Sequence, residues 1–221
     1  FDNMATIYFN DAQNEPLDKI IEVQITDSSI RGISSSNTID TTKKYTAIYD
    51  PHYKKKLVTK SGIIVKAPES VSDDSIIAAG RQVDILLSKI PEVAAEMASH
   101  NASLAIIGPG EHCYAIPEHR QGYDIANYWV EGYGGTPWND YTSSITESNI
   151  NRWLDSSLYP DTTSYVDENI LAHEFGHGIK ICGIDLMDDT TLSDLIIDTY
   201  ESVRSKGLWD NTYAAENIDE Y

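Results

Sequence analysis

The stretch Asp167-Glu168-Asn169-Ile170-Leu171-Ala172-His173-Glu174-Phe175-Gly176-His177-Gly178-Ile179-Lys180-Ile181-Cys182-Gly183 constrains this chain more than any other. Its apolar residues recur at helical spacing, with Asp167 available to cap the start and Gly183 to end it. At about 100° per residue, His177 falls about 40° from His173, so both imidazoles leave one face a turn apart and can hold one cation. Glu174 lies about 100° from His173, beside that cation position and within reach of a water there. Leu171, Phe175, Gly178, Ile179 and Cys182 gather on the opposite side of the wheel. This predicts a helix buried on one face, with its histidine pair looking into a cleft. Cys182 points away from the pair and is not a candidate ligand. Lys180, about 20° from His173, either biases the cleft toward acidic substrates or is a lysine whose stem lies along the surface.

A catalytic zinc site needs a third protein ligand and an open position. A third histidine six residues after His177, with glycine at the third, is excluded because Lys180 and Gly183 stand there. Asp185, Asp188 and Asp189 are open as ligands, or as an acidic turn and the N-cap of a helix over 191–206 that Gly207 terminates. Further on, in the stretch 208–221, Asn217 is a good N-cap, and Glu220, at its N3 position, would lie in the first turn of a helix.

The pairing of His-Glu-Phe-Gly-His at 173–177 with Tyr-x-x-x-Asn-x-x-Glu at 213–220, after an intervening helix, resembles the catalytic domain of the anthrax lethal factor family. That family includes the Pro-Pro endopeptidases, zinc endopeptidases of the gluzincin type. The likeness covers residues 160–221. It implies an α+β, zincin-like fold in which His173, His177 and Glu220 bind Zn²⁺ and Glu174 is the general base. It further implies that Tyr213 stabilises the oxyanion or assists the leaving group. Two alternatives stay open: Glu220 as a capping-box residue bonding back to Asn217, and Tyr213 as a core or interface ring. Family members continue the last helix, whereas this sequence stops one residue past Glu220, so the domain over 49–221 is expected to be truncated at its C-terminus.

Charge removes other function classes. With 35 Asp and Glu against 16 Lys and Arg, the formal charge of −19 argues against a nucleic-acid groove or an anionic membrane surface. No window approaches the roughly 20 apolar residues of a membrane span. Two cysteines, Cys113 and Cys182, exclude a disulfide scaffold and leave either one bridge or two thiols. The sequence does not begin with Met and shows no leader, which reads as a processed, secreted product. Asn101-Ala102-Ser103 fits a glycosylation acceptor.

Residues 1–48 read as a β-rich appendage and linker, with strands at 6–9 and 20–26 and a polar linker at 28–42. Lys54-Lys55-Lys56 is expected as a solvated turn before a strand at 62–66. Ser72-Asp73-Asp74 starts a helix reaching Ile90, Pro91 begins another over 92–99, and a strand at 104–107 stops at Gly108-Pro109-Gly110. Residues 111–160 read as irregular functional surface. Within them, 141–146 is the candidate for a substrate-binding edge strand, and Gly132-Tyr133-Gly134-Gly135 reads as a flap or, preferably, a turn. His112, Glu118 and His119 are metal-capable but match no zinc spacing. The resulting expectation is a zinc endopeptidase acting on protein or peptide substrates. The alternatives are a non-cleaving, protein-binding or toxin-like module that retains a zinc site, and a structural zinc site in a surface protein.

Overall fold

The computed structural model describes residues 20–24, 44–48, 52–122, 124–155, 157 and 163–220. The chain divides into two units, residues 1–51 and 52–221. In the first, β1 (Ile20–Gln24) pairs antiparallel with β2 (Lys44–Ile48), placing Ile20 opposite Ile48 and Gln24 opposite Lys44. The predicted strand at 20–26 is therefore present over 20–24. The strand expected at 6–9 and the linker at 28–42 lie outside the described residues.

The second unit is mixed α and β, with five α-helices and a five-stranded sheet among the described residues. The strands are β3 (Lys55–Val58), β4 (Ile64–Ala67), β5 (Ser103–Ile107), β6 (Gly132–Tyr133) and β7 (Thr142–Thr146), in the order β3-β4-β5-β7-β6. The three inner strands run parallel, and β3 and β6 are antiparallel edges. Helices α1 (Asp73–Leu87) and α2 (Pro91–Ser99) make the crossover from β4 to β5. Ser72 Oγ accepts from Ser75 N–H at 3.1 Å, and Asp73 and Asp74 sit in the first turn of α1, as the sequence predicts. Pro91 opens α2 where its missing N–H costs nothing.

Ile76, Ala79, Val83 and Leu87 of α1, with Val93 and Met97 of α2, bury against Val65, Leu104, Ile106 and Ile145 on one face of the sheet. Leu171 and Phe175 join the same core. On the other face, Tyr53, Ala105, Ile107, Cys113, Tyr114 and Ile116 form a smaller core. It also buries polar groups: Lys66 Nζ donates to Glu118 Oε1 at 2.5 Å, and Tyr53 Oη to Glu118 Oε2 at 2.6 Å.

Two expectations are corrected and one open alternative is resolved. Lys55 and Lys56 form a strand rather than a turn, because Lys55 Nζ reaches Val71 O at 2.6 Å and Asp73 Oδ1 at 2.8 Å while its backbone pairs with Ala67. The stretch 111–160 is more regular than its composition suggests, since it contains β6, β7 and the helix α3 (Glu147–Leu154), capped by Thr146. Cys113 and Cys182 are free thiols buried in different cores, so they form no bridge. Among the described residues, no helix is long and apolar enough to cross a membrane.

Candidate metal centre

The histidine pair sits on α4 (Ile170–Gly178), whose buried residues include Leu171, Phe175 and Gly178 of the face the helical wheel assigns to the core, and also Ile170, which the wheel places nearer the histidines. Its cap is Asn169 and not Asp167: Asn169 Oδ1 accepts from Ala172 N–H at 3.1 Å. The choice between these two capping residues is made by neighbouring helices. Asn169 Nδ2 donates to Gln82 Oε1 of α1 at 3.0 Å, and Ile170 N–H donates to Asn149 Oδ1 of α3 at 3.1 Å. Gly183 does not terminate the helix either. The chain passes from α4 into a π-helical turn over Ile179–Gly183 and a 3₁₀ turn over Ile184–Leu186. Gly183 is required for closeness, because a Cβ there would lie 2.4 Å from Val93 Cγ1.

His173 and His177 leave α4 together, with their Nε2 atoms 3.2 Å apart and their rings nearly perpendicular at 85°. The third member comes from beyond α5 (Thr191–Ser205), which ends at Gly207 in the left-handed region with φ +65°, as expected. From there a short 3₁₀ turn, Ile218–Glu220, brings Glu220 Oε2 to 3.3 Å from His173 Nε2. One donor atom each from His173, His177 and Glu220 lies within 4.8 Å of the others, so the three can hold a metal ion. Asn217 N–H donates to Tyr213 O at 3.2 Å, while the Glu220 carboxylate turns to His173.

Glu174 follows His173 directly on α4. Burial, reinforced by the negative charges of Glu220 and Glu168, pushes its carboxyl up to about 8 in the metal-free chain. A cation at the cluster would act in the opposite sense. Over this helix runs β6, the outermost strand on that side of the sheet among the described residues. β7, the strand expected at the edge, is instead internal, between β5 and β6. The glycines at 132 and 134 make this approach possible: a Cβ on Gly132 would lie 2.7 Å from Glu174 Cγ, and one on Gly134 would lie 2.6 Å from His177 Cβ. Within the segment read as a turn, Gly132-Tyr133 is therefore a short edge strand, and Gly134 after it is also pressed onto the histidine helix. Ser143 Oγ of β7 ties the two layers further, donating to Glu174 O at 3.2 Å.

The remaining candidates fall elsewhere. Tyr213 is 65% exposed on a 3₁₀ turn, and the structure draws its hydroxyl into no hydrogen bond with the cluster. Asp185 accepts from Lys180 Nζ at 2.8 Å and Asp189 caps Thr191, so neither joins the metal-capable group. Lys180 is thus engaged with its own turn. His112, Glu118 and His119 do not converge. His112 stacks on Tyr128 at 3.9 Å, Glu118 pairs with Lys66, and fully buried His119 has Nε2 3.0 Å from Thr142 O. Burial lowers the His119 pKa, which favours a neutral ring donating from Nε2 to that carbonyl. Sequence reasoning missed Glu168, whose Oε1 lies 3.6 Å from His173 Nδ1, because it precedes the helix and shares no wheel face with the pair. Comparisons with models of protein families, with characterised proteins and with solved structures find no match, and the site is characterised by its own geometry.

Proposed function

We propose that this chain is a zinc-dependent endopeptidase with a zincin-like fold. The observation that carries the reading is the convergence of His173, His177 and Glu220 next to Glu174, beneath a sheet edge. The donor set fits: two imidazole nitrogens and one carboxylate oxygen are the ligands of a catalytic zinc that keeps a position open. When bound, the ion supplies Lewis acidity to a carbonyl and to a water in its open position.

The protein's own groups do the rest. Glu174, one residue from His173 and largely buried, accepts the proton of the attacking water and returns it to the departing amine. The free edge of β6 offers its backbone to an extended peptide, which would add as a further strand over α4. Gly132 and Gly134 let that peptide lie close to the histidines. Tyr213, on the turn that leads to Glu220, is the donor this reading assigns to the developing oxyanion.

Peptide-library cleavage, run with metal analysis, tests the reading. The wild-type chain should bind one zinc and cleave. Glu174→Gln should keep the zinc and the fold and lose at least about 10²- to 10⁴-fold in turnover. Undiminished cleavage by Glu174→Gln, or no cleavage by the zinc-loaded wild type, overturns it.

A further inference from the structure

We propose that Glu168 is a positioning residue for the metal centre, holding the His173 ring so that Nε2 stays turned into the cluster and thereby setting the affinity for the cation. The inference rests on the reading of His173, His177 and Glu220 as a cation site.

Both nitrogens of His173 are addressed. Nε2 faces His177 Nε2 at 3.2 Å and Glu220 Oε2 at 3.3 Å, while Nδ1 faces Glu168 Oε1 at 3.6 Å. The last separation is longer than a hydrogen bond and lies at ion-pair distance. A neutral imidazole that ligates through one nitrogen carries its proton on the other, and an acceptor at that second nitrogen fixes tautomer and ring angle together. A carboxylate is the strongest acceptor the chain can offer there.

The placement of Glu168 is built from the backbone outward. Its carbonyl accepts from Asn149 Nδ2 at 3.1 Å and from Trp153 Nε1 at 3.0 Å, and its N–H donates to Tyr165 O at 3.2 Å. Asn149 is fully buried, and its Oδ1 accepts from Ile170 N–H at 3.1 Å. One side chain of α3 therefore pins both Glu168 and the first residue of the histidine helix. The carboxylate is half exposed, yet its backbone is held on three hydrogen bonds, unlike that of a freely solvated surface glutamate. It is not a fourth ligand, since it stands on the far nitrogen of His173.

Zinc affinity measured by competition with a chromophoric chelator, on the full chain, tests the proposal. Glu168→Ala should lose about 10- to 100-fold in affinity, the range seen when such outer partners are removed. Glu168→Gln, which keeps an acceptor oxygen, should recover most of the loss, and the melting temperature of both metal-free variants should match the wild type. Two-bond ¹⁵N NMR of the zinc-loaded wild type should find the His173 proton on Nδ1. Wild-type zinc affinity in Glu168→Ala, within twofold, overturns the role of Glu168 alone. A wild-type chain that binds no zinc overturns the cation site itself and the proposal with it.

Discussion

Gly134 and His177 are in backbone-to-side-chain contact so close that a Cβ on the glycine would stand 2.6 Å from the Cβ of the histidine and 3.1 Å from its Cδ2. The edge segment 132–134 and the histidine helix are thus spaced by two glycines that lack a Cβ. Gly134→Ala must push β6 outward or turn His177 away from His173. Overpacking of this kind costs about 1 to 3 kcal/mol. Urea denaturation should register that loss, and chelator competition should show weakened zinc binding in the same variant. Unchanged values in both would mean that the strand yields freely.

Removing Glu220 separates metal binding from the folding of α4. Glu220→Ala leaves the histidine pair on its helix but deletes the oxygen 3.3 Å from His173 Nε2. Zinc affinity should fall by at least 10-fold while the circular dichroism of the metal-free chain stays as in the wild type. Retained affinity would require a different third ligand.

Tyr213→Phe isolates the hydroxyl. The ring is 65% exposed, so the change should leave stability within about 0.5 kcal/mol, as for other surface substitutions. Zinc content should be unchanged and kcat reduced by about 10²-fold, as for loss of an oxyanion donor. Full activity would make Tyr213 an ordinary surface ring.

The buried pair on the opposite face of the sheet gives a pH dependence of known sign. Lys66 and Glu118 side chains are only 12% and 16% exposed. Burial alone would raise the Glu118 carboxyl, but the charge and hydrogen bond of Lys66 and the hydroxyl of Tyr53 hold it below its ordinary value of 4.5. The unfolded chain then binds the proton more readily, so the stability it contributes is complete above pH 4.5 and is lost as pH falls through the folded value. Lys66→Met, which strands the carboxylate, should cost about 3 to 5 kcal/mol at pH 7. Pairing it with Glu118→Leu should restore most of that, and denaturation curves from pH 7 to 3 should be flatter for the double variant.

The two cysteines should be silent in the native chain. Cys113 and Cys182 are free and fully buried, with burial pushing their thiols up to about 11 and about 12. A thiol reagent at pH 8 should titrate none in native buffer and two in denaturant. Fewer than two under denaturing conditions would reveal a bridge.

What was legible from residues alone follows the range of the forces involved. Ser72 and its two aspartates, Pro91 and Gly207 announce α1, α2 and the end of α5 because capping is chemistry within one turn. The histidine spacing announces the pair for the same reason. β6 was not legible, because two residues beside glycines carry no alternation and the strand exists only through its pairing with Ile145 and Ser144. α3 is only eight residues long, and Ile150, Trp153 and Leu154 are its only apolar residues, so it gives too short a stretch for a helical period to stand out from the loops around it. Asn169 displaced Asp167 as the cap through Gln82 and Asn149, partners distant in sequence. Glu168 was hidden likewise, since its closeness to His173 is set by α3 and not by helical period.

The third donor of the cluster arrives on a different schedule from the first two. The histidines lie one turn apart on α4, whereas Glu220 reaches His173 from the far side of α5. An ion held by all three would couple its binding to the docking of this returning stretch, as a removable cross-link between distant parts of the chain. A cell that varies its supply of the ion would, through the same linkage, vary how long that stretch survives.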